Sequence, residues 1–153
     1  MKFTFSLLIA LISIVSFSQN SFSESDAKQI IDTFFEGFHD GDTLKMKSVM
    51  VDSLLSQTVF TSKERVPKII EGDMSEFLKA IAVRPADQVW EERLLGYQVQ
   101  IDGNLAHVWT PYEFWLNGGF SHCGANAFTL AKTEAGWKIV HLIDSRRREG
   151  CLD

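Results

Sequence analysis

Residues 105–117 read LAHVWTPYEFWLN, residues 120–132 read FSHCGANAFTLAK, and residues 136–148 read GWKIVHLIDSRRR. Glycine-rich or polar joints (Asn117-Gly118-Gly119 and Thr133-Glu134-Ala135) separate the three runs. Each is about twice the usual strand length of ~5–6 residues. Antiparallel strands that long must twist and curl, and a curled sheet encloses space. A further strand is expected over residues 89–101, turning at Asp102-Gly103-Asn104, a strong hairpin signal. Another is expected over residues 54–60.

Ahead of these strands the apolar period changes to that of a helix. Ser23-x-x-Asp26 has the form of a capping box, and Ala27, Ile30, Ile31, Phe34, Phe35 and Phe38 then recur on one stripe. Gly41 is a natural stop. Asp42 can cap a short second helix carrying Leu44, Val49 and Met50. Asp73-x-x-Glu76 opens a third, with Phe77, Leu78 and Ile81, which Arg84-Pro85 ends. Between the second and third helices, Pro67 rules out a regular central strand over residues 62–72. Helices beside a mostly antiparallel sheet make an α+β fold. The expected architecture is three N-terminal helices on a strongly curved sheet, a cone with an open mouth.

The capped helix, together with Asp102-Gly103-Asn104-Leu105-Ala106, Phe128-Thr129-Leu130 and Gly136-Trp137-Lys138-Ile139-Val140, resembles the nuclear transport factor 2-like superfamily. That superfamily includes SnoaL-like cyclases, ketosteroid isomerases and scytalone dehydratase. The resemblance implies the cone fold over residues 19–153. It assigns no reaction, because one fold hosts many chemistries. The isomerases hold an oxyanion with a tyrosine on the first helix, and residues 23–38 contain none. The dehydratase needs a His/Asp/His set with tyrosine partners.

The 153 residues carry a net charge of −5, which argues against a nucleic-acid partner. Arg146-Arg147-Arg148 is the one basic run and reads as a solvated strand end. Residues 1–18 have a positive start, an apolar stretch and small residues before a cut after Ser18, as a secretory signal peptide does. The mature chain is then secreted or periplasmic and free of the membrane. In that compartment the two cysteines, Cys123 and Cys151, are expected to pair.

Pairing Asn117 with Phe120 and Lys132 with Trp137 sorts the last three strands into faces. One face takes Trp109, Glu113, Trp115, His122, Asn126, Phe128, Leu130, Trp137, Ile139 and His141. The other takes Tyr112, Phe114, Cys123, Asp144 and Arg146. A bulge would exchange the faces beyond it. The first face resembles a ligand pocket. On it, Glu113 orienting His122 would make a general base, with Asn126 steadying an oxygen and Trp109, Trp115 and His141 as further lining. On the other, Tyr112, Asp144 and Arg146 form either an outer ion pair or an anion clamp. His107, His122 and His141 lie too far apart on this pairing for zinc, so neither metal nor cofactor is expected. His39 is expected to interact with the end of the first helix.

Three functional readings stay open. The first is a protein that binds a small apolar molecule. The second is a cofactor-free isomerase or hydro-lyase working by general acid/base catalysis. The third is a dimeric module, paired through its sheet, whose cone Trp109, Trp115 and Trp137 fill.

Overall fold

In the computed structural model, which describes residues 21–151, three helices pack on a curved seven-stranded sheet. The expected signal segment lies outside the described residues. Helix α1 (Glu24–Asp40) starts at a complete capping box between Ser23 and Asp26 and ends at Gly41. Its buried stripe is Ala27, Ile31, Phe34, Phe35 and Phe38. Helix α2 (Thr43–Ser48) is capped by Asp42, and it buries Met46 while Leu44 stays exposed.

The third helix is not N-terminal. The chain first forms β1 (Met50–Thr61) and β2 (Pro67–Gly72), then α3 (Met74–Ala82), which Asp73 caps through the N–H groups of Ser75 and Glu76. Strand β2 was not foreseen. Pro67 is tolerated because β2 forms the sheet's edge, where one side of the ladder needs no partner. The strand expected over residues 89–101 is two, β3 (Trp90–Leu94) and β4 (Gln98–Asp102). They pair with opposite ends of β5 (Leu105–Leu116). Between them Tyr97 hydrogen-bonds Asp32 of α1, which ties the break to the helix.

Strands β6 (Gly119–Thr133) and β7 (Gly136–Arg147) complete an order of β2-β1-β7-β6-β5-β3, with β4 also on β5. All neighbours are antiparallel except β1 and β7.

Two extra residues overturn the expected faces. The β5–β6 turn is Asn117-Gly118, both at positive φ as a two-residue hairpin turn requires, so Leu116 pairs with Gly119. That placement alone keeps the expected relation of faces. Beyond it the register jumps from Trp115↔Phe120 to Phe114↔His122, leaving Ser121 as the extra residue. From there Tyr112 opposes Gly124 and Glu113 opposes Cys123. Glu113 therefore faces away from His122. On β7 the register jumps from Leu130↔Ile139 to Thr129↔His141, leaving Val140 extra. Past that point Asn126 opposes Asp144 and Phe128 opposes Leu142, so Asp144 moves onto the face of Asn126. The side chains under the helices are then Ala106, Val108, Thr110, Tyr112 and Phe114 from β5, and Leu130, Phe128, Asn126 and His122 from β6. Strand β7 adds Ile139, Leu142, Asp144 and Arg146.

The cysteines pair as expected, Cys123 to Cys151, with 5.8 Å between Cα atoms. Cys123 opposes Arg147, and the chain turns back after Arg148 so that Cys151 reaches it.

Candidate functional site

The narrow end of the cone is closed: Phe22 stacks on Trp137 with ring centroids 3.9 Å apart, and Ile31, Leu130 and Ile139 are fully buried. Toward the C-terminal end of α1 the helix and sheet part around a cavity of about 320 Å³. That is within the ~300–1,000 Å³ range of ligand pockets, at its small end. Its walls are aromatic: Phe34, Phe35 and Phe38 from α1, Phe77 from α3, Trp90 from β3 and Phe114 from β5. Phe38 touches four of the others, with centroids 6.1 Å from Phe77, 6.2 Å from Phe35 and from Trp90, and 6.3 Å from Phe114.

Polar groups enter from the sheet side. Asn126, 4% exposed, donates from Nδ2 to Oε1 of Glu92 at 2.7 Å. Burial among the rings pushes the Glu92 carboxyl up to about 7; the Asn126 hydrogen bond opposes that rise, and the nearby charge of Asp144 adds to it. Asp144 is held on both oxygens. Thr58 donates to Oδ1 at 2.5 Å and Tyr112 to Oδ2 at 3.2 Å, with Nε of Arg146 3.6 Å from Oδ2. Burial, then the neighbouring Asp144 charge, pushes the Tyr112 phenol up, so it stays a donor. Gly124 lets Tyr112 lie flat here. A Cβ at that position would stand 2.8 Å from the Tyr112 ring and 1.7 Å from the Ser145 carbonyl oxygen.

His122 stacks on Phe114 with centroids 5.0 Å apart, and its Nδ1 lies 3.0 Å from Ser121 Oγ. Burial, helped by the Arg146 charge, pushes its pKa down to about 4, so the ring is neutral at physiological pH and a weak base.

The remaining candidates lie elsewhere. Glu113 accepts from the indole N–H of Trp115 at 3.0 Å on the outer sheet face, and Arg93 covers the Trp115 ring at 4.2 Å. Trp109 is 40% exposed on that face. His141 Nε2 lies 3.3 Å from Gln57 Oε1, also outside. Of the nine residues expected in a site, the cavity gathers His122, Asn126, Tyr112, Asp144 and Arg146 and leaves out Glu113, Trp109, Trp115 and His141. The dehydratase-like set is divided, because His141 faces away from His122 and Asp144. None of Trp109, Trp115 and Trp137 fills the cavity.

Glu92 is the residue that sequence reasoning missed. In Trp90-Glu91-Glu92-Arg93 it alternates with Glu91 and Arg93, which bond each other at 2.8 and 2.9 Å on the outer face. The inward position of one carboxylate between an outward ion pair was the available signal. His39 fixes the strand there, since its Nε2 lies 2.9 Å from the Glu92 backbone nitrogen, and it makes that contact instead of the expected helix-end charge interaction. Among the described residues, no three of His, Cys, Asp and Glu gather in a metal-binding group.

The same architecture recurs in solved structures. A superfamily protein from Salmonella enterica serovar Typhimurium matches at TM-score 0.61 and 16% identity, over 84% of this chain and 93% of its own. A protein of unknown function from Shewanella baltica matches at 0.56 and 14%, over 84% and 100%. The fold is nuclear transport factor 2-like. A putative dehydratase of this nuclear transport factor 2-like group, from Streptomyces avermitilis, matches at 0.56 and 17% identity, over 80% and 94%. At such identities the likeness extends to the fold alone. No family model and no curated protein sequence matches the chain.

Proposed function

We propose that this nuclear transport factor 2-like chain binds a small, largely apolar molecule in the cone. The observation that carries the reading is the aromatic-walled cavity of about 320 Å³ into which Glu92, Asn126, His122 and Asp144 converge. The rings supply affinity by excluding water, and the polar groups fix orientation. A secreted or periplasmic setting goes with this proposal. The Cys123–Cys151 bond supports it, since such bonds persist in oxidising compartments.

Native mass spectrometry of the protein purified from its own host tests the reading and reports oligomeric state in the same spectrum. A retained mass that dissociates on activation is expected. A bare chain, together with no rise in melting temperature across a set of small apolar compounds, would end the reading.

One observation favours a second reading, that of a cofactor-free enzyme moving protons. A carboxyl titrating near 7 in an apolar site can both take and return a proton at neutral pH. The base is then Glu92, oriented by Asn126, and His122 is a neutral wall group. A bell-shaped rate profile that E92Q abolishes would decide for this reading.

A further inference from the structure

Two of the cavity's polar groups, Glu92 and Asn126, present free acceptor oxygens beside its aromatic walls. Asn126 spends its Nδ2 on Glu92, and its carbonyl oxygen accepts no hydrogen bond from any described residue. Glu92 Oε1 is taken by that amide, while Oε2 has no partner among the described residues. Asp144 Oδ1 accepts from Thr58, and Oδ2 lies beside Arg146 and the Tyr112 hydroxyl, whose oxygen is also 3.1 Å from the Ser145 carbonyl oxygen. Glu92 and Asp144 line one cavity, and the Asp144 charge adds to the cost of ionising Glu92. The other carboxylate there, Asp73, caps α3, and the one cation, Arg146, lies against Asp144. His122 is neutral above about 4. A ligand anion would therefore meet two carboxylates, and the guanidinium there is half exposed and lies 3.6 Å from one of them. A ligand cation would meet a free carboxylate oxygen, a free amide oxygen and six aromatic faces, which attract cations through their quadrupoles.

Resting on the ligand-binding reading above, we propose that the cone's ligand is an apolar amine. It binds as its ammonium, donating to Glu92 Oε2 and Asn126 Oδ1, with its hydrocarbon body against Phe34, Phe38, Trp90 and Phe114. The ammonium offsets the Asp144 charge that opposes ionisation of Glu92, and the donor it brings meets an amide oxygen that is open to the cavity.

The test uses the mature chain with its disulfide intact and three probes of one shape: 2-phenylethylamine, 2-phenylethanol and 3-phenylpropanoate. Isothermal titration at pH 8 should show the amine binding about tenfold more tightly than the alcohol, with the carboxylate weakest. The preference for the amine should shrink as pH falls through about 7, where Glu92 takes up its proton. This pH arm needs no variant. In E92Q the ratio of amine to alcohol affinity should fall to about one.

Equal binding of amine and alcohol by the wild type, tightest binding of the carboxylate, or an amine preference that survives E92Q would overturn the ammonium assignment and leave the cone a binding site. If none of the three binds to a folded protein, the amine assignment also falls, and the native mass spectrum and melting-temperature set described above decide the binding reading separately.

Discussion

The two ends of the cone are built from the same strands and the same helix, yet they solve different problems. Along the inner face of β6 the side chains run Leu130, Phe128, Asn126, Gly124, His122. The first two belong to a closed apolar core with Ile31 and Ile139. Asn126 and His122 bound a space, and Gly124 between them leaves room for the Tyr112 ring. Apolar volume is exchanged for a buried amide, then for no side chain, then for an imidazole. The narrow end is held by packing. The wide end is held by hydrogen bonds to Asp144 and Glu92, with rings that touch one another around a gap. A cavity survives in a small domain when a solid core beside it carries the stability.

That contrast is open to direct attack. Leu130→Ala at the closed end should cost about 4 kcal/mol, whereas Phe114→Ala, half-buried at the edge of the gap, should cost about 1–2 kcal/mol. Urea melts measure both. Equal losses would mean that the wide end is packed as tightly as the narrow one.

E92Q sharpens the comparison with a gain. The Glu92 carboxyl is raised from 4.5 to about 7 in the fold. The stability this gives is full below pH 4.5 and disappears as pH rises through about 7. At pH 8 the variant should be more stable than the wild type by about 2 kcal/mol, after allowing for partial exposure, and the two should converge near pH 5. The depressed His122 acts in the opposite sense, losing stability below 6.5, but it is common to both proteins and cancels in the difference. A gap that stays constant with pH would show that Glu92 is solvated.

The smallest effect is expected from Thr58→Val, which removes one donor from Asp144 and should cost about 1 kcal/mol by urea midpoint. No change would mean that the parallel β1–β7 pairing, rather than this hydroxyl, places the carboxylate.

The fold was legible in the sequence because its signals are local. The Ser23–Asp26 box, the stripe from Ala27 to Phe38 and the length of the last three strands each follow from residues a few positions apart. The site was legible only in part, because it depends on register, which accumulates along a strand. Two extra residues, Ser121 and Val140, turned the whole of β5 and the end of β7 to faces opposite those that regular pairing gives. Neither position carries a glycine or proline to mark it. Pairing arithmetic therefore put Glu113 beside His122 when the register puts Phe114 there. It also kept Asp144 away from Asn126, which it opposes. Glu92 was lost for another reason: its strand was read as one long run, and the break at Leu95-Gly96-Tyr97 that frees β3 to follow β5 carries no periodic signal.

The bond between Cys123 and Cys151 has a consequence for how the chain meets a protease. Arg147 and Arg148 are exposed and lie just ahead of Cys151. A trypsin-like protease cutting there would not free the peptide beyond them, because the sulfur bridge keeps it fastened to the first third of β6. A nick of this kind would add one water to the mass and leave the molecule otherwise whole until a reductant arrives.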